Sequence, residues 1–204
     1  MGKVDENKQQ KRERLLDTAF DLFTTKGLTK TSISDIVKNA GVAKGTFYLY
    51  FEDKYDIANK LIAAKARHMY LQALSRLEQQ ELSESADRII FLVDDILNQF
   101  QHTPLLLRFI NKNLSWGIFR NAMLRGSEDH EREMEELFRR ILGEEWRQWP
   151  NLEAMLYLII EMVGSSCYSV ILDRDPMPLE AFKPHLYRSI RAVVKSFQDS
   201  QKNH

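Results

Sequence analysis

Between Thr31 and Lys54 two short amphipathic stretches meet across one glycine, Gly41. Ile33, Ile36, Val37 and Ala40 recur at the spacing of a single helical face. Ser32 stands where an N-cap belongs, and Asp35, three residues on, completes the acidic form of a capping box. Gly41 tolerates the backbone of a sharp turn. A second helix then starts near Ala43 or Lys44, with Phe47 and Phe51 four apart on its inner side. Lys44, Gly45, Thr46, Tyr48, Leu49 and Tyr50 are left around its start and its open side. This is the layout of a helix-turn-helix, in which the second helix enters the DNA major groove. Two outward tyrosines on one short helix are costly unless a partner covers them.

The run Thr-Ser-Ile-Ser-Asp-Ile-Val-x-x-Ala-Gly-Val-Ala-Lys-Gly-Thr-Phe-Tyr-x-Tyr-Phe-x-x-Lys resembles the DNA-binding segment of the tetracycline-repressor (TetR) family of bacterial transcription regulators. The likeness covers Leu15 to Leu61, and beyond it only length and helical character agree. The resemblance implies that Tyr48, Tyr50 and Lys54 hold phosphates, while Lys44, Thr46 and Leu49 lie nearest the base edges. It implies phosphate contacts from Thr31 and Ser32, and a close backbone approach at Gly45. Ala43 stands where the family often has serine, which removes one hydroxyl contact. It further implies a homodimer on a palindromic double-stranded operator, most often a repressor, released by a small-molecule effector.

Length and charge fit that outline. A chain of 204 residues suits one or two domains. Eight Gly and five Pro are few, which favours long helices and an all-α fold. Net charge is zero, but Lys3, Lys8, Lys11, Arg12, Arg14, Lys26, Lys30, Lys38, Lys44, Lys54 and Lys60 outnumber the acids in residues 1–60. The remainder is therefore net acidic, and a localised DNA contact needs a basic end of this kind. The cations at positions 8–14 are either a solvated helix end or phosphate contacts.

One cysteine, Cys167, excludes an internal disulfide framework and fits a reducing cytoplasm; it reads as a small buried hydrophobe. Five scattered histidines without a ligand spacing predict no metal site. No nucleophile–base constellation or cofactor motif is present, so no enzyme and no cofactor are predicted. Residues 1–14 are polar and charged, unlike a signal peptide. The apolar run Leu156 to Leu172 is read as too short and interrupted for a membrane span, and better as a buried helix.

In order, residues 1–7 are expected as a disordered arm and Lys8–Lys26 as a helix ended by Gly27. After the helix-turn-helix, a long helix is expected from Asp53 to Glu81, then one capped by Ser83 and running to His102. Pro104–Asn113, a less regular Leu114–Gly126, and a charged helix capped by Ser127 and reaching Trp149 follow. Asn151–Asp173 and Leu179–Asp199 complete the expected set. The predicted domains are residues 1–52, the DNA-binding part, and residues 53–204, the ligand-binding and dimerisation part.

Within the second domain, Phe109, Trp116, Phe119, Met123, Tyr157 and Tyr168 either line an apolar ligand cavity or are ordinary core. Glu161 interrupts an apolar helix and is either an edge or ion-paired residue or a ligand's counter-group. Ile160, Val163, Gly164, Ile190, Val194 and Phe197 either join two copies of the chain or pack within one. The rival overall reading is a helical ligand-binding or protein-docking module without operator binding.

Overall fold

The computed structural model describes residues 3–110, 130–143, 146–147, 149 and 151–199, and among them every regular element is helical. The chain divides into two compact units, Met1–Lys65 and Ala66–His204.

The first unit contains α1 (Lys3–Thr25), α2 (Ile33–Ala40), α3 (Lys44–Tyr48) and the first half of α4 (Lys54–Leu77). Helix α1 starts earlier than the expected Lys8, so the arm reading is corrected there. Residues 3–7 are mostly polar but include no glycine or proline, and polarity alone suits a solvated helix as well as an arm. Leu15, Ala19 and Phe23 form its buried face. Gly27, at φ +89°, then reverses the chain. Helix α1 packs on α2, and α2 on α3. Ile36, Phe47 and Ile57 are wholly buried among them, with Phe51 at 2% exposure. Burying a phenylalanine of this kind stabilises by about 1.5–3 kcal/mol.

The second unit takes in the rest of α4, then α5 (Ser85–His102), α6 (Pro104–Ile110), α7 (His130–Leu142), α8 (Leu152–Tyr168) and α9 (Leu179–Asp199). Helix α8 runs on through a π-helical turn, Ser169–Asp173. Helix α5 packs against α6, α7 and α9, and α9 also against α8.

Glu84, not Ser83, holds the N-cap position of α5, and no side chain caps it. The start of α5 instead closes the end of α7. Arg88 donates to the carbonyls of Arg140 at 2.9 Å, Ile141 at 3.0 Å and Leu82 at 3.1 Å, and Ser85 Oγ donates to Leu142 at 3.3 Å. Helix α7 stops at Leu142, short of the expected Trp149, because Gly143 turns left-handed at φ +83°. The expected Leu114–Gly126 segment and the Ser127 cap lie outside the described residues. Helix α9 has the predicted bounds.

Two adjacent pairs on α5 point to different neighbours. Asp95 accepts both Arg76 nitrogens at 2.7 and 2.8 Å, and Gln99 donates to Asp95 and to the Met69 carbonyl of α4. On the other side Asp94 accepts hydrogen bonds from Tyr187 and Asn98 and pairs with Lys183 at 3.0 Å. Burial pushes the Asp94 carboxyl up, but the bonds from Tyr187 and Lys183 outweigh it and hold the group below its ordinary value.

The apolar run Leu152–Asp173 is long and apolar enough, by length and composition, to cross a membrane, at mean hydropathy 1.7 with 33% of that window buried. This corrects the shorter reading, since Leu152 and Met155 extend the run. Tyr157 and Leu158 stand exposed on α8.

Candidate nucleic-acid interface

The sequence dictates the shape of this surface locally. Ser32 Oγ accepts the Asp35 N–H at 3.1 Å, while Asp35 accepts the Ser32 N–H at 3.0 Å, so the capping box forms as expected. Lys26, 2.9 Å away, and the Ser32 donors hold the Asp35 carboxyl well below the usual carboxylate range. Gly41 ends α2 at φ +65°, where a side chain is strained. Its N–H and that of Val42 return to the last carbonyls of α2. The turn therefore fixes where α3 begins.

Helix α3 is only five residues long, and its one buried side chain is Phe47. Phe47 packs edge-on against Tyr48 and tilted on Phe51, both with centroids 5.5 Å apart. Everything else on α3 points away from the core. Ala43, Lys44 and Gly45 are exposed, Thr46 is half-buried, and Tyr48 and Leu49 are 53% and 78% exposed. Ala43 holds the N-cap position and supplies no side-chain bond.

Three residues assigned to phosphate by resemblance are placed differently. Thr31 is 1% exposed, and its hydroxyl donates to Gly27 at 2.8 Å. It locks the α1–α2 loop and has no surface to offer DNA. The Lys54 ammonium donates to three carbonyls, those of Leu28 at 3.0 Å and of Thr29 and Thr31 at 3.1 Å. An ammonium has three donors, so this geometry uses them all. Tyr50 is half-buried, and its hydroxyl donates to the Lys8 carbonyl at 3.1 Å. Sequence reasoning missed these inward roles because their partners are main-chain carbonyls, which leave no mark in a side-chain pattern. Ser32, Lys44, Gly45, Thr46, Tyr48 and Leu49 keep surface consistent with the expected contact.

The residues expected to hold a ligand are described only in part. Trp116, Phe119 and Met123 lie outside the described residues. Phe109 is buried in α6, while Glu161 and Tyr168 are half-buried on α8. An open cleft of about 640 Å³ is lined by Phe138, Trp146, Trp149, Leu152 and Tyr157, and among the described members of the expected set Tyr157 reaches it. Of the expected dimer residues, Ile160, Val163 and Phe197 are partly exposed. Gly164, Ile190 and Val194 are already buried within one chain, so they have little surface left for a second copy. Cys167 is buried, and burial pushes its thiol up to about 11.

Comparison with known proteins agrees with this geometry. Residues 15–61 match the family model for bacterial regulatory proteins of the tetR family. An uncharacterised HTH-type transcriptional regulator of Bacillus subtilis, YvdT, is 47% identical over 68 residues, 33% of each chain. The HTH-type transcriptional repressor NemR of Escherichia coli is 38% identical over 94 residues, 45% of this chain and 46% of its own. These matches thus span from a third to just under half the length of the curated relatives. The fold is shared with the transcriptional regulator FadR of Bacillus subtilis, solved in complex with stearoyl-CoA. That match has a TM-score of 0.52 and 18% identity, and covers 88% of this chain and 97% of that one.

Proposed function

We propose that this chain, whose residues 15–61 match the family model for bacterial regulatory proteins of the tetR family, is a dimeric, cytoplasmic repressor released from a palindromic operator by a small molecule. The observation that carries this reading is α3. Its five residues hold one buried anchor, Phe47, and turn Lys44 and Tyr48 outward, with Leu49 exposed at the C-cap. That surface stands exposed in the described fold, and a duplex groove would cover it. In this reading residues 1–52 bind DNA and residues 53–204 carry regulation, with α4 between them.

A second copy covers the partly exposed apolar side chains of α8 and α9, among them Leu158, Ile160, Val163 and Phe197. This also accounts for an apolar α8 without invoking a bilayer. Two copies place two reading helices on one pseudo-palindrome. The effector binds the second unit and acts only through its differential affinity for the bound and released conformers. NemR is a repressor by name, and FadR was solved with an acyl-CoA, which makes stearoyl-CoA a sensible first probe.

The test is enrichment of bound duplexes from a random pool, with a Lys44→Ala, Tyr48→Ala double variant alongside. A pseudo-palindrome enriched only by the wild-type chain supports the reading. Absence of enrichment at low salt, where phosphate contacts are strongest, overturns it and favours the docking module.

A further inference from the structure

Gly45 and Leu49 are each hard to explain from within the chain. Gly45 lies in α3 with a φ outside the left-handed region, and a Cβ added there would meet nothing within 4 Å. Neither backbone conformation nor packing therefore requires glycine, although glycine is among the poorest helix formers. Leu49, four residues on, is 78% exposed, the most of any large apolar side chain described. Residues four apart share a helix face. The pair thus presents an open step beside a bare hydrocarbon, next to exposed Lys44 and Tyr48.

We propose that the step between Gly45 and Leu49 receives the 5-methyl group of one thymine in each operator half-site, making Leu49 a specificity-determining residue. This rests on the operator-binding reading above. Leucine has no donor or acceptor, so of the features on a major-groove edge only the thymine methyl suits it. Gly45 leaves the room that this methyl and its base need. Contact with deoxyribose is the competing use of an apolar side chain, and it would be blind to sequence.

The experiment starts from the duplex selected by the wild-type protein. Each thymine in turn is replaced by deoxyuracil, which removes the methyl and leaves the pairing edge intact, and binding is measured by fluorescence anisotropy. One position per half-site should weaken wild-type binding about fourfold, the worth of one buried methyl-sized group. Leu49→Ala should bind thymine and uracil duplexes equally. Gly45→Ala should melt no lower than wild type, since alanine is the better helix former, yet bind about tenfold more weakly. A wild type that binds its duplex but ignores every thymine-to-uracil change overturns the proposal and leaves operator binding standing. So does a Leu49→Ala variant that still discriminates, or a Gly45→Ala variant that binds like wild type. A wild type that selects no duplex removes both readings together.

Discussion

The two units are pinned by different kinds of hydrogen bond. In the first, alongside the Lys26–Asp35 pair, side chains reach main-chain carbonyls: Lys54 to Leu28, Thr29 and Thr31, Thr31 to Gly27, and Tyr50 to Lys8. In the second, charged side chains mostly meet each other across helices. Arg76 pairs with Asp95, Lys183 and Tyr187 with Asp94, Arg191 with Asp87, and Arg140 with Glu78. A carbonyl is supplied by any residue, so an anchor of the first kind asks one position to be kept. An ion pair asks two positions to match. The first unit is therefore built from portable parts, and the matched family segment, residues 15–61, lies entirely inside it.

Four substitutions or conditions sharpen that contrast. Lys54→Met should have the largest effect, because it removes three hydrogen bonds at once, two of them part-buried; we expect a loss of about 2–3 kcal/mol in urea unfolding. The salt slope of duplex binding tells which role Lys54 plays. As a loop anchor it leaves the slope unchanged, whereas loss of a phosphate contact would lower it by about one. Tyr187→Phe should cost about 1.5–2 kcal/mol, the lower part of the range for a hydrogen bond to a charged group, since Asp94 is part-exposed. Combined with Lys183→Met it should be non-additive, since both act on Asp94; additive losses would break the paired-residue account. Ala43→Ser should raise stability by about 0.5–1 kcal/mol by giving α3 the cap it lacks, and an unchanged melting temperature would count against it.

The smallest effect concerns Asp35, whose carboxyl sits below its ordinary value of 3.8. A depressed folded value means that the capping box contributes fully above the ordinary value, weakens as pH falls below it, and is lost as pH falls through the depressed folded value. Amide exchange in α2, corrected for intrinsic rate, should rise on acidification, and Asp35→Asn should flatten that rise.

What the sequence made legible was set by which partners it names. Ser32 with Asp35, Gly41, Phe47 with Phe51 and the ends of α9 all announce themselves through side-chain type and spacing, and all are found where expected. Lys54, Thr31 and Tyr50 point inward to backbone groups, and no pattern of neighbouring letters distinguishes that from an outward reach. Gly143 cuts short the charged helix expected to reach Trp149, because its left-handed backbone, and not the charge pattern around it, sets where α7 ends. Ser83 was the better capping residue by type, yet Arg88, acting on the end of α7 from half a hundred residues away, shapes that corner. Burial of Ile190 and Val194 within one chain likewise depends on which helices become neighbours, and spacing alone does not tell that.

The single anchor of α3 has an evolutionary consequence. Because only Phe47 ties that helix to the core, the letters at positions 44, 45, 46, 48 and 49 carry little of the folding free energy. Target preference can drift across a lineage by changing them one at a time, each intermediate remaining a folded protein. A duplicated copy of this chain could acquire a new set of promoters without first acquiring a new stability, while the second unit is inherited intact.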